Sequence, residues 1–156
     1  MHIHLVFVGK TAFSDIESAI ERYAKRLVHY CKLQIHYVKA EKISTGVGVQ
    51  VVRDREGERI LKVTGPDSHL IILDQRGRQL DSGGLSKFVE GLIFSAVSDV
   101  WIVVGGPVGL SAKVIESGRD VLSLSKMTFP HDLARLMLVE QLYRAFTILK
   151  GEPYNR

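Results

Sequence analysis

The chain has 156 residues, 46% of them hydrophobic and 24% charged, which is about one domain in length and an ordinary globular composition, excluding a disordered or membrane-embedded class. Lys and Arg number 21 against 17 Asp and Glu, a formal net charge of +4 that admits an anionic partner without demanding one. Cys31 is the only cysteine, so neither an internal disulfide nor a thiolate metal cluster can form.

Helical and strand patterns alternate along the chain, which predicts an α/β layer fold with a largely parallel sheet in a single domain spanning 1–156. His2 to Val8 reads as the first strand rather than a signal peptide, so a cytoplasmic protein is expected. Ser14 and Glu17 have capping-box spacing, and Ile16, Ala19, Ile20, Tyr23 and Leu27 form one apolar stripe of a helix from about Asp15 to His29. Leu33 to Val38 is a second strand and Ser44 to Gly48 a loop. Val49 to Val63 is helical on Val52, Glu56, Arg59, Ile60 and Val63, with Gly57 weakening it and Gly65-Pro66 ending it. His69 to Leu73 is a buried strand, with Asp74-Gln75-Arg76-Gly77 a turn at its carboxyl end. Leu85, Phe88, Val89, Leu92 and Ile93 mark the next helix. Val100 to Val104 is a central strand, Ser111 caps a short helix ending near Gly118, and Val121 to Leu124 is the last strand. The longest apolar runs, Leu70 to Leu73 and Val100 to Val104, fall far short of the roughly 20 residues of a membrane span.

The final helix, His131 to Leu149, carries two apolar stripes: Leu133, Leu136, Met137 and Tyr143, with Glu140 among them, and Leu138, Leu142, Ala145 and Leu149. A surface helix needs only one. A homodimer built on this helix is the expectation.

Three segments stand out chemically. The loop Gly105-Gly106-Pro107-Val108-Gly109 follows a strand at the position where open α/β sheets bind ligands. Its spacing is not that of a dinucleotide fingerprint, and Pro107 removes an amide that a phosphate loop would use; a tight strand-to-helix turn explains it equally well. The bend Leu122 to His131, rich in hydroxyls and closed by Pro130, reads either as helix capping or, with the strand ends at Leu73 and Gly105, as the wall of an adenine-sized pocket. Pro153-Tyr154-Asn155-Arg156 reads as a frayed end or as a clamp in which tyrosine stacks on a base and arginine grips phosphate. The six histidines show no metal-ligand spacing combined with acids, and no metal is expected; His2 and His4 share one strand face. His131, at a helix start, is the histidine most suited to chemistry.

Taken in order, Val6-Phe7-Val8-Gly9, Leu73-Asp74 with Gly77, Gly105-Gly106-Pro107, Leu122-Ser123-Leu124-Ser125, Thr128-Phe129-Pro130-His131, Glu140-Gln141-Leu142-Tyr143-Arg144-Ala145 and Pro153-Tyr154 resemble the RlmH-type family of SPOUT methyltransferases across essentially the whole chain. The resemblance implies an α/β knot with a trefoil-knotted C-terminal region. It also implies an S-adenosylmethionine-dependent enzyme that methylates N3 of a pseudouridine in large-subunit (23S) ribosomal RNA. It places S-adenosylmethionine against Leu73, Gly105, Leu124, Ser125, Lys126, Met127, Thr128 and Phe129, and gives RNA-binding and catalytic roles to His131, Arg144, Tyr154 and Arg156. Its partners would be a second copy of the chain and ribosomal RNA or the assembled ribosome. Val108 stands where the family loop commonly has glutamate, and Asn155 replaces a frequent histidine. The alternatives are a SPOUT enzyme with another RNA target and a non-catalytic ribosome-binding protein that kept the fold.

Overall fold

The computed structural model describes residues 1–44 and 46–155, the side chain of Asn155 apart; Thr45 of the predicted loop and Arg156 of the predicted clamp lie outside the described residues. Five strands, β1 (His2–Val8), β2 (Lys32–Val38), β3 (His69–Gln79), β4 (Asp99–Val104) and β5 (Asp120–Ser123), form one sheet in the order β2-β1-β4-β3-β5. Every pairing is parallel, so all the strands point their carboxyl ends to the same side. Helices α1 (Ser14–Leu27), α2 (Val49–Thr64), α3 (Ser82–Phe94) and α4 (Ala112–Ser117) connect them, and α5 (His131–Leu149) and a 3-10 turn, Pro153–Asn155, follow.

A parallel sheet is covered on both faces, and β1 shows how. Ile3, Leu5 and Phe7 face a core built with Ile20 and Leu27 of α1, Val89 and Leu92 of α3, and Leu138, Leu142 and Phe146 of α5. Val6 and Val8 face the opposite core, with Ile60 of α2 and Val114 of α4. At roughly 25 cal/mol per Å² of apolar surface removed from water, this double burial is the dominant stabilising contribution.

Four local expectations are corrected. Ser14 does not cap α1: the cap position is Phe13, without a side-chain hydrogen bond, and Ser14 lies inside the first turn. Gly57 is not simply a weak point of α2, because a Cβ there would lie 2.5 Å from Ser111 Oγ, the side chain that caps α4. Val63 is exposed, the inner face of α2 running instead through Val52, Glu56, Gly57, Ile60 and Thr64. The turn after Leu73 is an interruption within β3: Leu122 of β5 pairs with both Leu73 and Arg78, so residues 74–77 step out of the ladder and the strand then resumes. A Cβ at Gly77 would meet the Leu122 carbonyl carbon at 2.5 Å, so the crossing of β3 and β5 requires glycine.

The inner stripe of α5 has its partners in this same chain, since Leu138, Leu142 and Ala145 are all buried. The outer stripe is different: Leu136, Met137 and Tyr143 are half-buried and Leu133 is exposed. Among the described residues no helix is long and apolar enough to cross a membrane.

Candidate active site

The carboxyl ends of β3, β4 and β5 open into a cavity of about 880 Å³, within the size range of small-molecule sites. One wall is the glycine loop after β4. Gly109 N–H donates to Gly106 O at 3.0 Å, closing a turn with Pro107 and Val108 at its centre, and Gly109 adopts φ +79°. Arg53 Nε, from α2, donates to Val108 O at 2.6 Å and holds the turn from outside. Gly105 has an internal reason to lack a side chain: a Cβ would sit 2.9 Å from Leu110 Cγ. The loop is thus a tight turn, and it also lines the cavity.

The facing wall is the bend after β5. Ser123 Oγ donates to Ser125 O at 2.9 Å, and Met127 N–H donates to Ser125 Oγ at 3.0 Å, so the hydroxyls fold the bend as sequence chemistry predicts. Of the residues expected at a cofactor, Leu73, Gly105, Leu124, Ser125, Met127, Thr128 and Phe129 all line the cavity; Lys126 does not. Gln50, Arg53, Asp74 and Arg76 also line it and were missed. Asp74 and Arg76 follow the carboxyl end of a strand, a position that carries a signal, whereas nothing in the spacing of α2 announces Arg53. Asp74 accepts from Arg76 Nε at 2.8 Å and from its backbone N–H at 3.0 Å. That arginine holds the carboxyl below its ordinary range.

His131 lines the same cavity at the start of α5. Burial pushes its pKa below the ordinary 6.5, opposed by Asp132 and reinforced by Arg135, so the imidazole is neutral near pH 7. Its neighbours are firmly fixed. Asp132 accepts from Ala12 N–H at 2.8 Å and from Arg135 at 3.0 Å, and Arg135, fully buried, donates to Val8 O and stands 5.1 Å from the Phe7 ring centre.

Arg144 and Tyr154 form a separate cluster. Tyr154 Oη donates to Glu140 Oε1 at 3.1 Å, its ring packs edge-on against Tyr143 at 4.7 Å, and the Arg144 guanidinium lies 4.9 Å over it. Arg144 also donates to Glu140 at 2.8 Å. Burial and the hydrogen bonds to Tyr23 and Glu140 push the Tyr154 phenol upward. Residues 153–155 are therefore docked rather than frayed. At 1.5 Å per helical residue, Arg144 stands about 20 Å along α5 from His131, so one chain does not bring these residues together.

The family model described as predicted SPOUT methyltransferase matches residues 1–155. The chain belongs to the SPOUT methyltransferase family. Proteins named ribosomal RNA large subunit methyltransferase H are 52% identical in Syntrophobacter fumaroxidans and 40% identical in Halothermothrix orenii, each over the whole of both chains. Among solved structures, the Aquifex aeolicus tRNA (m1G37) methyltransferase superposes with a TM-score of 0.54 at 15% identity, covering 99% of this chain and 74% of that one; at that identity the likeness speaks for the fold. As a SPOUT methyltransferase the chain takes S-adenosylmethionine as its methyl donor. The cavity fits such a group in size and in its main-chain-rich lining.

Proposed function

We propose that this SPOUT methyltransferase, acting as a single domain over 1–156 and as a cytoplasmic homodimer, methylates N3 of a pseudouridine in large-subunit ribosomal RNA on the ribosome. The observation that carries this reading is the strand-end cavity, lined by residues of the segments on which the resemblance rests, in a chain that matches methyltransferase H relatives over the whole of both lengths. Leu73, Gly105, Leu124, Ser125, Met127, Thr128 and Phe129 would hold S-adenosylmethionine; Lys126, outside the lining, would face the RNA. Val108 brings no charge to the loop, and Asp74 is the carboxylate in the described lining.

When bound, the cofactor supplies an electrophilic methyl group. The protein must present the ring nitrogen in line and take its proton. His131, neutral and at the cavity, accepts that proton. The developing anion calls for fixed positive charge, which Arg144 and Arg156 supply alongside Tyr154. Because Arg144 and Tyr154 stand about 20 Å from His131 within one chain, they serve the cavity of the other protomer. The outer stripe of α5 is the apolar surface available for that pairing.

The test is incubation of ribosomes from a strain lacking this gene with the protein and isotopically labelled cofactor, followed by mass mapping. A label on one pseudouridine of the large-subunit RNA is expected; a label elsewhere, or none, overturns the assignment. Met137→Glu should yield folded, inactive monomers in sedimentation, and a fully active monomer would refute the shared site.

A further inference from the structure

The amino ends of the strands, opposite the cavity, gather a second set of polar side chains. His2 and His4 point to the same face of β1, two residues apart. In the register of β1 with β4, His2 pairs with Asp99 and His4 with Trp101. The result is convergence on one atom. His4 Nε2 lies 3.3 Å and His2 Nδ1 3.6 Å from Asp99 Oδ1, and the three ligand atoms all fall within 4.8 Å of one another.

Hydrogen bonding accounts for part of this. His4 Nδ1 is 3.0 Å from His36 Nε2, and a chain from His36 through His4 to Asp99 satisfies His4. It leaves His2 unexplained: its ring lies 3.9 Å from that of His4, with Nδ1 3.6 Å from Asp99 Oδ1, too distant for a hydrogen bond. Two atoms bound tetrahedrally to one zinc ion at 2.0–2.1 Å are about 3.4 Å apart, which is the spacing found on both sides of Asp99 Oδ1. Two imidazoles and a carboxylate are the donor set of zinc and its neighbours in the first transition row. His36, on the far nitrogen of His4, occupies the place of the outer partner that fixes a ligating imidazole's tautomer. Asp99 is half exposed, giving an ion a way in.

We propose that His2, His4 and Asp99 bind one divalent transition-metal ion of the zinc class, with water completing its coordination, and that the ion clips β1 to β4 at the amino edge of the sheet. The site is about 17 Å, the length of β4, from the methyl-transfer cavity. It therefore acts on stability rather than on the reaction.

Trp101 makes the proposal directly measurable. It is the chain's one tryptophan and stacks on His4 at 4.0 Å with an interplanar angle of 8°. The experiment is a Co²⁺ titration of the full chain, free of any affinity tag, read by Trp101 fluorescence and visible absorption. Saturable quenching at one ion per chain is expected, with the absorption bands of a low-coordinate Co²⁺ ion, reversal of both by Zn²⁺, and a melting temperature raised by Zn²⁺. Asp99→Asn and His2→Gln change exposed or half-exposed groups and should fold, as circular dichroism would verify, yet lose the saturable phase. His36→Leu should weaken binding about tenfold. His69→Gln, which removes another histidine–aspartate pair, His69 with Asp120, should leave the titration unchanged. Quenching absent at one equivalent, or surviving in both Asp99→Asn and His2→Gln, overturns the site.

Discussion

At the amino end of α5, Asp132 and Arg135 pair at 3.0 Å with almost no solvent contact; at the carboxyl end, Glu140 and Arg144 pair at 2.8 Å with both side chains partly in water. The geometry is nearly the same and the consequences are opposite. Two desolvated charges cannot part without leaving one uncompensated in the interior, so the first pair fixes the helix start, the carboxyl end of β1 and His131 in one arrangement. Solvated charges exchange partners at little cost. The second pair, with Tyr154 on top of it, is therefore suited to meeting a large anionic ligand. On the proposed function, rigidity would sit where the methyl group is delivered, and exchangeable contacts where RNA would arrive.

The largest effect should come from breaking the buried pair. Asp132→Ala strands Arg135 and cuts the hydrogen bond from Ala12, and a loss of about 3–5 kcal/mol is expected in urea denaturation; a loss below about 1 kcal/mol would remove the contrast between the two ends. Deleting residues 153–156 should eliminate turnover on ribosomes while calorimetric cofactor binding persists, and melting should fall only modestly, by the contacts of one half-buried tyrosine. Unchanged turnover would reduce the carboxyl end to ordinary surface.

His131→Gln should lower turnover about a hundredfold and flatten its pH dependence. The sign follows from the depressed pKa: the neutral form predominates at pH 7, and the wild-type rate falls as pH drops below 6.5. Below 6.5 the unfolded chain also takes up a proton that the folded chain resists, so the stability due to this group is present above 6.5 and is lost as pH falls through the depressed value. A wild-type profile flat across that range would move the base elsewhere. The smallest effect belongs to Glu140→Gln, under about 1 kcal/mol in stability, and a larger cost would show that this pair, too, is structural.

How much of this was legible in the sequence depended on whether the signal was local. The strands and the apolar stripe of α1 follow from periodicity in single segments, and they stand nearly as read except for β3, which resumes beyond Leu73 to Gln79. The bend at Ser123 to Met127 was likewise legible, because hydroxyl-to-backbone bonds span two residues. Arg53 at the glycine loop was not, since it reaches the site from a helix far earlier in the chain. Lys126 sits among cavity residues in sequence but is exposed and absent from the lining. The stripe of Leu138 and Leu142 invited a partner because a sequence does not reveal that α1 and α3 already flank the helix. Asp99 beside His2 and His4 was invisible for the same reason: only the pairing of β1 with β4 joins them.

The bond from Ala12 to Asp132 joins positions 120 apart and has a consequence in time. During synthesis, β1 and α1 emerge well before α5, which covers their apolar surface. Contacts of such long sequence separation form slowly. A nascent chain halted before residue 131 would carry the strands without the helix that seals them, and would have neither His131 nor the anchor that positions it. Competence to handle the methyl donor should therefore appear abruptly, as the final helix leaves the ribosome and docks.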